Sequence, residues 1–304
     1  GKLAIVTGAN SGIGYYTARA LAAHGAHVIL ACRSEQRGRR AEKEMSQFLV
    51  DRELTTGRVE FMHLDLSSLA SVKAFASAVH SKGFKALDLL INNAGLACPA
   101  QELTPDGFET QFQVNHLSHF YLTTLLFPLL RASPAARVVG VSSNAHRTVA
   151  DMEFETLATG TDNSFTRYGR SKLANLLFTF ELKQRLMDAG IHNVKAVIAH
   201  PGMTYSDMGD KFVEGVFPEA TWGLCKWVLK VIPTQETEMG ALPTLYVATV
   251  ENVESGDYFG PADYMNSKGY PVKEIPEATS QSLEARKKLW EISEELTGVK
   301  FSVV

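Results

Sequence analysis

Apolar residues along this chain follow two rhythms. Short, nearly unbroken apolar runs lie at 3–6, 27–31, 59–63, 87–91, 137–141 and 194–199. Between and after them, 15–24, 35–49, 68–80, 108–130, 171–187 and 236–249 read as helices. In 171–187 the residues Leu173, Leu176, Leu177, Phe180 and Leu186 recur at helical spacing. A short apolar run fits a strand buried on both faces, and a period of about 3.6 residues fits a helix laid on a core. Strands alternating with helices predict one α/β domain over 1–304, a Rossmann-type doubly wound parallel β-sheet flanked by helices. A short last strand is expected at 258–259. A charged amphipathic helix is expected at 281–296, docked on the surface within a helical tail at about 280–298. The polar stretch 51–57 reads as an exposed connector, and 144–167 carries no strong pattern. No internal repeat, low-complexity stretch or second-domain linker interrupts the series.

One segment is unusually greasy. Residues 212–232 hold Phe217, Trp222, Leu224, Trp227, Val228, Leu229, Val231 and Ile232, interrupted by Lys226 and Lys230. Three readings fit it: a lid over an apolar substrate with bounds near 204–234, a helix lying on a membrane surface, or plain packing.

Composition narrows the field. Hydrophobic content of 45% and charged content of 21% are ordinary for a soluble globular chain. A net charge of -3 without a basic block argues against a nucleic-acid partner. The three cysteines, Cys32, Cys98 and Cys225, are widely spaced. They form no metal cluster or disulfide framework, so no metal is expected and a reducing compartment fits. No run reaches the ~18 apolar residues of a membrane span. The expected location is cytoplasmic, with membrane association if a native anchor precedes Gly1.

The first strand leads into Thr7-Gly8-Ala9-Asn10-Ser11-Gly12-Ile13-Gly14 and then a helix. Strand, glycine-rich turn and helix make a phosphate-binding start, because the backbone can approach a pyrophosphate and the helix N-terminus offers N–H donors. The alternative is a tight turn with no ligand. An NAD-binding domain usually carries an acid at the end of its second strand, to hold a ribose hydroxyl. Here that strand ends in Cys32-Arg33-Ser34, with Arg37 one turn on. A guanidinium fork suits a 2′-phosphate, so NADP(H) is expected. Arg39 and Arg40 read as a solvated helix face. Asp65, beyond the third strand, either accepts from an adenine amino group or caps the next helix.

Tyr168 and Lys172 stand four apart on one helix face. A phenol ionises near ~10, and a neighbouring ammonium favours the phenolate, so the pair suits general acid–base work on an alcohol or ketone. Asn92-Asn93-Ala94-Gly95 closes the fourth strand with small residues that leave room for a ligand. Asn115 sits inside a predicted helix, where asparagine needs a reason to be. Ser142 and Ser143 end the fifth strand, and only one of the two can face a given site.

From Lys2 to about Gly260 the chain resembles the short-chain dehydrogenase/reductase family. The resemblance rests on Thr-Gly-x-x-x-Gly-x-Gly at 7–14, Asn-Asn-Ala-Gly at 92–95, Asn115, Ser142-Ser143, Tyr168-x-x-x-Lys172 and Pro201-Gly202, in family order. The stretches at 31–33, 115–120 and 171–175 look like the retinol dehydrogenase-like branch, which includes the WW-domain oxidoreductases. The resemblance implies a catalytic set: Tyr168 gives the proton, Lys172 lowers its pKa and binds the nicotinamide ribose, Ser143 bonds the substrate oxygen, and Asn115 holds a relay water. It implies a cofactor set as well. Gly8, Ser11, Gly12, Ile13 and Gly14 take the pyrophosphate side, Asp65 and Leu66 the adenine, and Asn93, Ala94 and Gly95 the adenosine ribose. Pro201, Gly202 and Ser206 lie near the nicotinamide, with Ser206 where the family usually has threonine. Asn10 and Ser11 are uncharged, so Arg33 or Arg37, with Ser34, would meet the 2′-phosphate.

The expected function is an NADP(H)-dependent oxidoreductase of a lipophilic carbonyl or alcohol. Two alternatives stand beside it. Cys98 near the Asn-Asn-Ala-Gly turn allows a light-dependent reductase of a tetrapyrrole double bond, although 144–167 is short for one. A cofactor-sensing protein without turnover is the other, although both Tyr168 and Lys172 are kept. Peripheral membrane contact through 212–232 and a homodimer complete the expected partners.

Overall fold

The computed structural model describes residues 1–160, 162–204, 221–222 and 234–303. Most of the expected lid at 204–234, and with it Ser206 and most of 212–232, lies outside the described residues. Among the described residues no helix is long and apolar enough to cross a membrane.

The chain opens β1 (Leu3–Thr7), α1 (Gly12–Ala23), β2 (His27–Cys32), α2 (Glu35–Asp51), β3 (Arg58–His63), α3 (Leu69–Ser81), β4 (Leu89–Asn92). After a broken helical stretch come β5 (Ala136–Val141), α6 (Ser164–Asp188) and β6 (Val194–Ala199). The strands join one sheet in the order β3-β2-β1-β4-β5-β6, followed by two C-terminal strands. β1 pairs in parallel with both β2 and β4, so the winding reverses between them. A crevice at the carboxyl ends of the strands follows from that reversal, and it is where ligands of open α/β sheets bind.

The apolar runs are buried on both sides, and successive residues face opposite ways. Ile5, Ile29, Leu90, Val138 and Ala196 pack with Phe75, Phe120 and Phe178 on one face. Val6, Leu30, Ile91, Val139 and Val197 pack with Ala18, Met45 and Val247 on the other. The sheet is therefore clamped between two helical layers, and its upper edge is held rigidly.

Four expectations change. The helix expected at 108–130 is broken into α4 (Thr110–Phe112), a π-helical turn (Gln113–Leu117) and α5 (Ser118–Ala132), and Asn115 lies at the centre of the turn. α6 begins at Ser164, not at 171, with Asn163 accepting from Thr166 N–H as its cap. Its first turns lack an apolar stripe because Arg167 and Arg170 are buried there against Glu109, Glu153 and Asp162. The helix expected at 236–249 is divided into α7 (Thr237–Gly240) and α8 (Leu242–Thr249). The strand expected at 258–259 grows into a hairpin, β7 (Tyr258–Asp263) and an antiparallel edge strand β8 (Lys268–Lys273). Gly269 and Pro271 hide β8 from the apolar pattern, and both residues are tolerated at a sheet edge.

The C-terminal part holds α9 (Ala278–Gln281) and α10 (Leu283–Thr297). α10 is more than a surface helix. Trp290 is 2% exposed and stacks on Phe301 and Phe178 at 4.9 and 5.8 Å between ring centroids. Arg185 covers its ring at 4.2 Å, and Phe120 meets it edge-on at 5.1 Å.

Trp290→Ala should therefore cost about 3–5 kcal/mol, the usual range for removing a buried large aromatic, read as a lower denaturation midpoint. Burial also pushes His116 down to about 3 and His119 and His146 down to about 4. Their folded values lie below the unfolded value near ~6.5, so the unfolded chain takes up protons first as pH falls. The stability they allow is complete above that value and is lost toward pH 4. Urea unfolding at pH 7 and pH 5 should show a clearly lower midpoint at the acid pH, and equal midpoints would refute the assignment.

Candidate active site

The glycine turn stands at the carboxyl end of β1. Gly8 N–H donates to Ala31 O at 2.9 Å, and the buried Cys32 thiol lies close to the N–H groups of Ala9 and Asn10. Burial pushes that thiol up to about 12, so it stays neutral. Gly12 has φ +59, with nothing within 4 Å of where a Cβ would stand. Gly14 packs so closely that a Cβ would meet Asn93 Nδ2 at 2.5 Å and Gly8 O at 2.6 Å. Ser11 precedes α1 but makes no side-chain cap, whereas Ser34 caps α2 and Ser68 caps α3. The first N–H groups of α1 are thus left for an anion, which fits a pyrophosphate.

Thr7 ties this turn to β4. Its Oγ1 accepts from Asn93 N–H at 2.9 Å and Ala94 N–H at 2.8 Å, and Asn93 Nδ2 donates to Thr7 O at 2.8 Å. The Asn93 carboxamide is therefore committed to holding the turn. A ribose contact from this stretch would fall to its main chain and to Ala94 and Gly95. His119 Nδ1 bonds Asn115 O at 3.0 Å, so Nδ1 carries the proton and Nε2 accepts from the Thr7 hydroxyl at 2.9 Å. Asn115 itself is fully buried. Its Oδ1 accepts from Leu96 N–H at 2.9 Å, and its Nδ2 donates to Leu96 O at 3.0 Å and to Ser171 Oγ at 2.8 Å. Its side chain locks the 92–97 loop to α6.

Ser142 and Ser143 divide as strand geometry requires. Ser142 Oγ donates inward to Lys172 O at 2.9 Å, whereas Ser143 Oγ accepts from Ala145 N–H at 3.2 Å and stands beside the Tyr168 phenol, close enough to affect its pKa. Lys172 Nζ lies 5.8 Å from the Tyr168 ring centre and donates to Val141 O at 3.2 Å. A Cβ on Gly95 would stand 3.1 Å from that nitrogen and 3.2 Å from Asn115 Oδ1. Asn115 from the π-helical turn, Ser143 from the turn after β5, and Tyr168 and Lys172 from α6 thus meet at one end of the sheet.

The electrostatics differ from the expectation in one respect. Burial raises the Tyr168 pKa, and the neighbouring Ser143 hydroxyl only partly offsets it. Burial also lowers Lys172 to about 8. The ammonium does not pull the phenol down here, because desolvation dominates both groups. A phenol kept protonated, with a hydroxyl beside it, can deliver a proton to an oxygen placed against the two.

Other expected residues fall as follows. Arg33 and Arg37 are exposed, and among the described residues no carboxylate pairs with either. Arg39 pairs with Glu35 and Glu42, and Arg40 with Glu44, as a solvated face should. Ser34 Oγ accepts from Arg37 N–H at 3.3 Å. Asp65 is not the cap of α3, because Ser68 is; its Oδ1 accepts from the N–H and O–H of Ser67 at 2.9 and 2.7 Å. The Leu66 side chain belongs to the core, so an adenine contact there would rest on Asp65 and the main chain. Cys98 is buried at φ +48, and burial pushes its thiol up. Pro201 and Gly202 follow β6, and Gly202 has φ +68. Sequence reasoning missed Thr7, His119 and Ser171 as braces; the only local signal was the spacing of four that puts His119 over Asn115.

Comparison with known proteins agrees with this architecture. The model of the family described as short chain dehydrogenase matches residues 2–216. Retinol dehydrogenase 14 of Mus musculus is 37% identical over 310 residues, which cover 98% of this chain and 86% of that protein. The WW domain-containing oxidoreductase of Gallus gallus is 38% identical over 313 residues, covering 97% of this chain and 68% of that protein. A crystal structure of an uncharacterized protein from Mycobacterium Paratuberculosis superposes with a TM-score of 0.77 at 35% identity, covering 99% of this chain and 94% of that one. Identity at this level along nearly the whole length, on the same doubly wound sheet, places the chain in the short chain dehydrogenase family, in its retinol dehydrogenase-like branch.

Proposed function

We propose that the protein is an NADP(H)-dependent oxidoreductase that interconverts a lipophilic carbonyl compound and its alcohol. One observation carries the reading: Ser143 and Lys172 both stand beside the Tyr168 phenol, with Lys172 Nζ 5.8 Å from its ring centre and 3.1 Å from where a Cβ on Gly95 would stand, at the same sheet end as the glycine turn. When bound, the nicotinamide supplies or accepts the hydride. The protein's part is positioning and proton transfer. Ser143 and Tyr168 would hold the carbonyl oxygen from two sides. Tyr168, kept protonated by burial, would give its proton to that oxygen as negative charge develops there. Lys172, with a pKa of about 8, is mostly ammonium at neutral pH and would place a positive charge at the same end of the sheet.

The cofactor assignment rests on three features of the chain. α1 has N-terminal donors without a side-chain cap, Gly14 allows the loop to pack tightly, and Arg33 and Arg37 have no carboxylate partner among the described residues. Two free guanidinium groups beyond the second strand suit a 2′-phosphate better than a ribose hydroxyl. The relative named retinol dehydrogenase 14 supports a lipophilic alcohol or carbonyl as the substrate class.

A screen of carbonyl compounds, followed by NADPH oxidation with NADH in parallel, tests the reading. Tyr168→Phe should abolish turnover and leave NADPH affinity unchanged within about twofold, because the lost hydroxyl acts on the substrate oxygen. Wild-type rate in that variant would end the mechanism. Arg33→Ala combined with Arg37→Ala should weaken NADPH binding by about tenfold or more, in line with losing charge-assisted bonds to phosphate, and leave NADH binding nearly unchanged. Equal losses for both cofactors would remove the phosphate assignment.

A further inference from the structure

Two loops flank the crevice from neighbouring strands: the 3-10 turn Asn144–Thr148, which follows Ser143, and Pro201-Gly202 after β6. Both are fastened to the β7–β8 hairpin. Asn144 Nδ2 donates to Asn266 O at 3.1 Å, Met203 N–H to Ser267 O at 2.8 Å, and His200 N–H to Phe259 O at 2.9 Å. His200, 0% exposed, stands between them. Its Nδ1 accepts from Gly202 N–H at 3.2 Å, so the ring proton is on Nε2 and is donated to Glu274 Oε1 at 2.7 Å. The other oxygen of Glu274 accepts from Arg147 at 2.7 Å, and Arg147 also holds Glu277 at 2.7 Å. The Tyr258 ring lies against His200 at 5.4 Å. Gly260 leaves room for the contact, because a Cβ there would overlap both His200 Nε2 and Glu274 Oε1. Glu274 lies beyond residues 2–216, where the family model matches.

We infer that His200, Glu274 and Arg147 form one positioning clamp for the reaction site, with Glu274 as its charged centre. The carboxylate is gripped on one side by the ring from the end of β6 and on the other by the guanidinium from the turn after β5. It thereby fixes how far Ser143 stands from the Pro201-Gly202 backbone. Charge-assisted bonds to a buried carboxylate are short and directional, which suits that task. The inference rests on the proposed carbonyl chemistry, in which Ser143 faces the reacting oxygen and Pro201-Gly202 flanks the nicotinamide. The proposed clamp acts on the reaction site through the two loops. Loosening it shifts the reacting groups against each other and leaves the glycine turn, Arg33 and Arg37 in place.

The test uses the full chain with Glu274→Gln, Arg147→Met, Arg147→Lys and the double variant of the first two. NADPH affinity is read by fluorescence titration, kcat and KM by NADPH oxidation, and loop order by amide hydrogen exchange. Glu274→Gln and Arg147→Met should each lower kcat by about tenfold or more, a scale that small misplacements of reacting groups reach, with the NADPH dissociation constant held within about twofold. Arg147→Lys should recover part of the rate, and the double variant should be little worse than either single one, as expected of residues acting through one contact. Exchange should rise together at 143–148 and 200–203 and stay unchanged in β1 and β4. A kcat within about twofold of wild type, a fall in melting temperature with kcat intact, or additive losses in the double variant would each overturn the clamp. If the wild-type protein binds NADPH but reduces no carbonyl in the panel, the functional reading fails, and coordinated exchange in the two loops still decides whether the clamp exists.

Discussion

The Thr7 hydroxyl is the contact on which the crevice depends. It sits where the winding of the sheet reverses, fully buried, and one oxygen accepts from two successive N–H groups of the β4 turn. Its own proton goes to His119, which in turn holds the main-chain carbonyl of Asn115. The glycine turn, the Asn-Asn-Ala-Gly turn and the π-helical turn are thus registered against a single atom. Leaving buried donors unmet costs about 1–3 kcal/mol each, so the arrangement resists any slip of one turn past another.

The π-helical turn shows the same logic on a helix. An extra residue in the turn breaks the regular ladder, and the groups it frees find partners from other elements. Asn115 bridges Leu96 and Ser171, and Ser171 in turn donates to Tyr168 O at 2.7 Å. The turn of α6 that carries Tyr168 is therefore tied to the π-helical turn through Ser171. Burial does the remaining electrostatic work, since it penalises a charge on Tyr168 and on Lys172 alike. A dry site of this kind favours the neutral acid as the resting form of the tyrosine.

The strands and the Tyr168–Lys172 spacing were legible because both depend on local pattern: unbroken apolar runs and a spacing of four. What stayed hidden has a common cause. The start of α6 is carried by Arg167 and Arg170, charged residues that read as exposed until their carboxylate partners, brought in from other loops, are known. β8 was masked by Gly269 and Pro271. The depth of α10 was masked because its buried residues, Leu289, Trp290, Ser293 and Glu294, are set among Glu and Lys and form no long apolar stripe. Glu274 carries no local signature, and the bracing roles of Thr7 and His119 show only when their partners, distant in the sequence, are in place. The apolar skeleton is thus a local property of this chain, and its polar bracing is a tertiary one.

The depth of α10 has a consequence for biosynthesis. Phe120 and Phe178 complete their layer only when Trp290 and Phe301 arrive, and these lie at the very end of the described chain. During translation the earlier part of the polypeptide leaves the ribosome with that aromatic face bare, and the layer cannot close until residues 290–301 have emerged. Nascent chains stalled short of residue 290 would be natural clients for a chaperone that recognises aromatic surface.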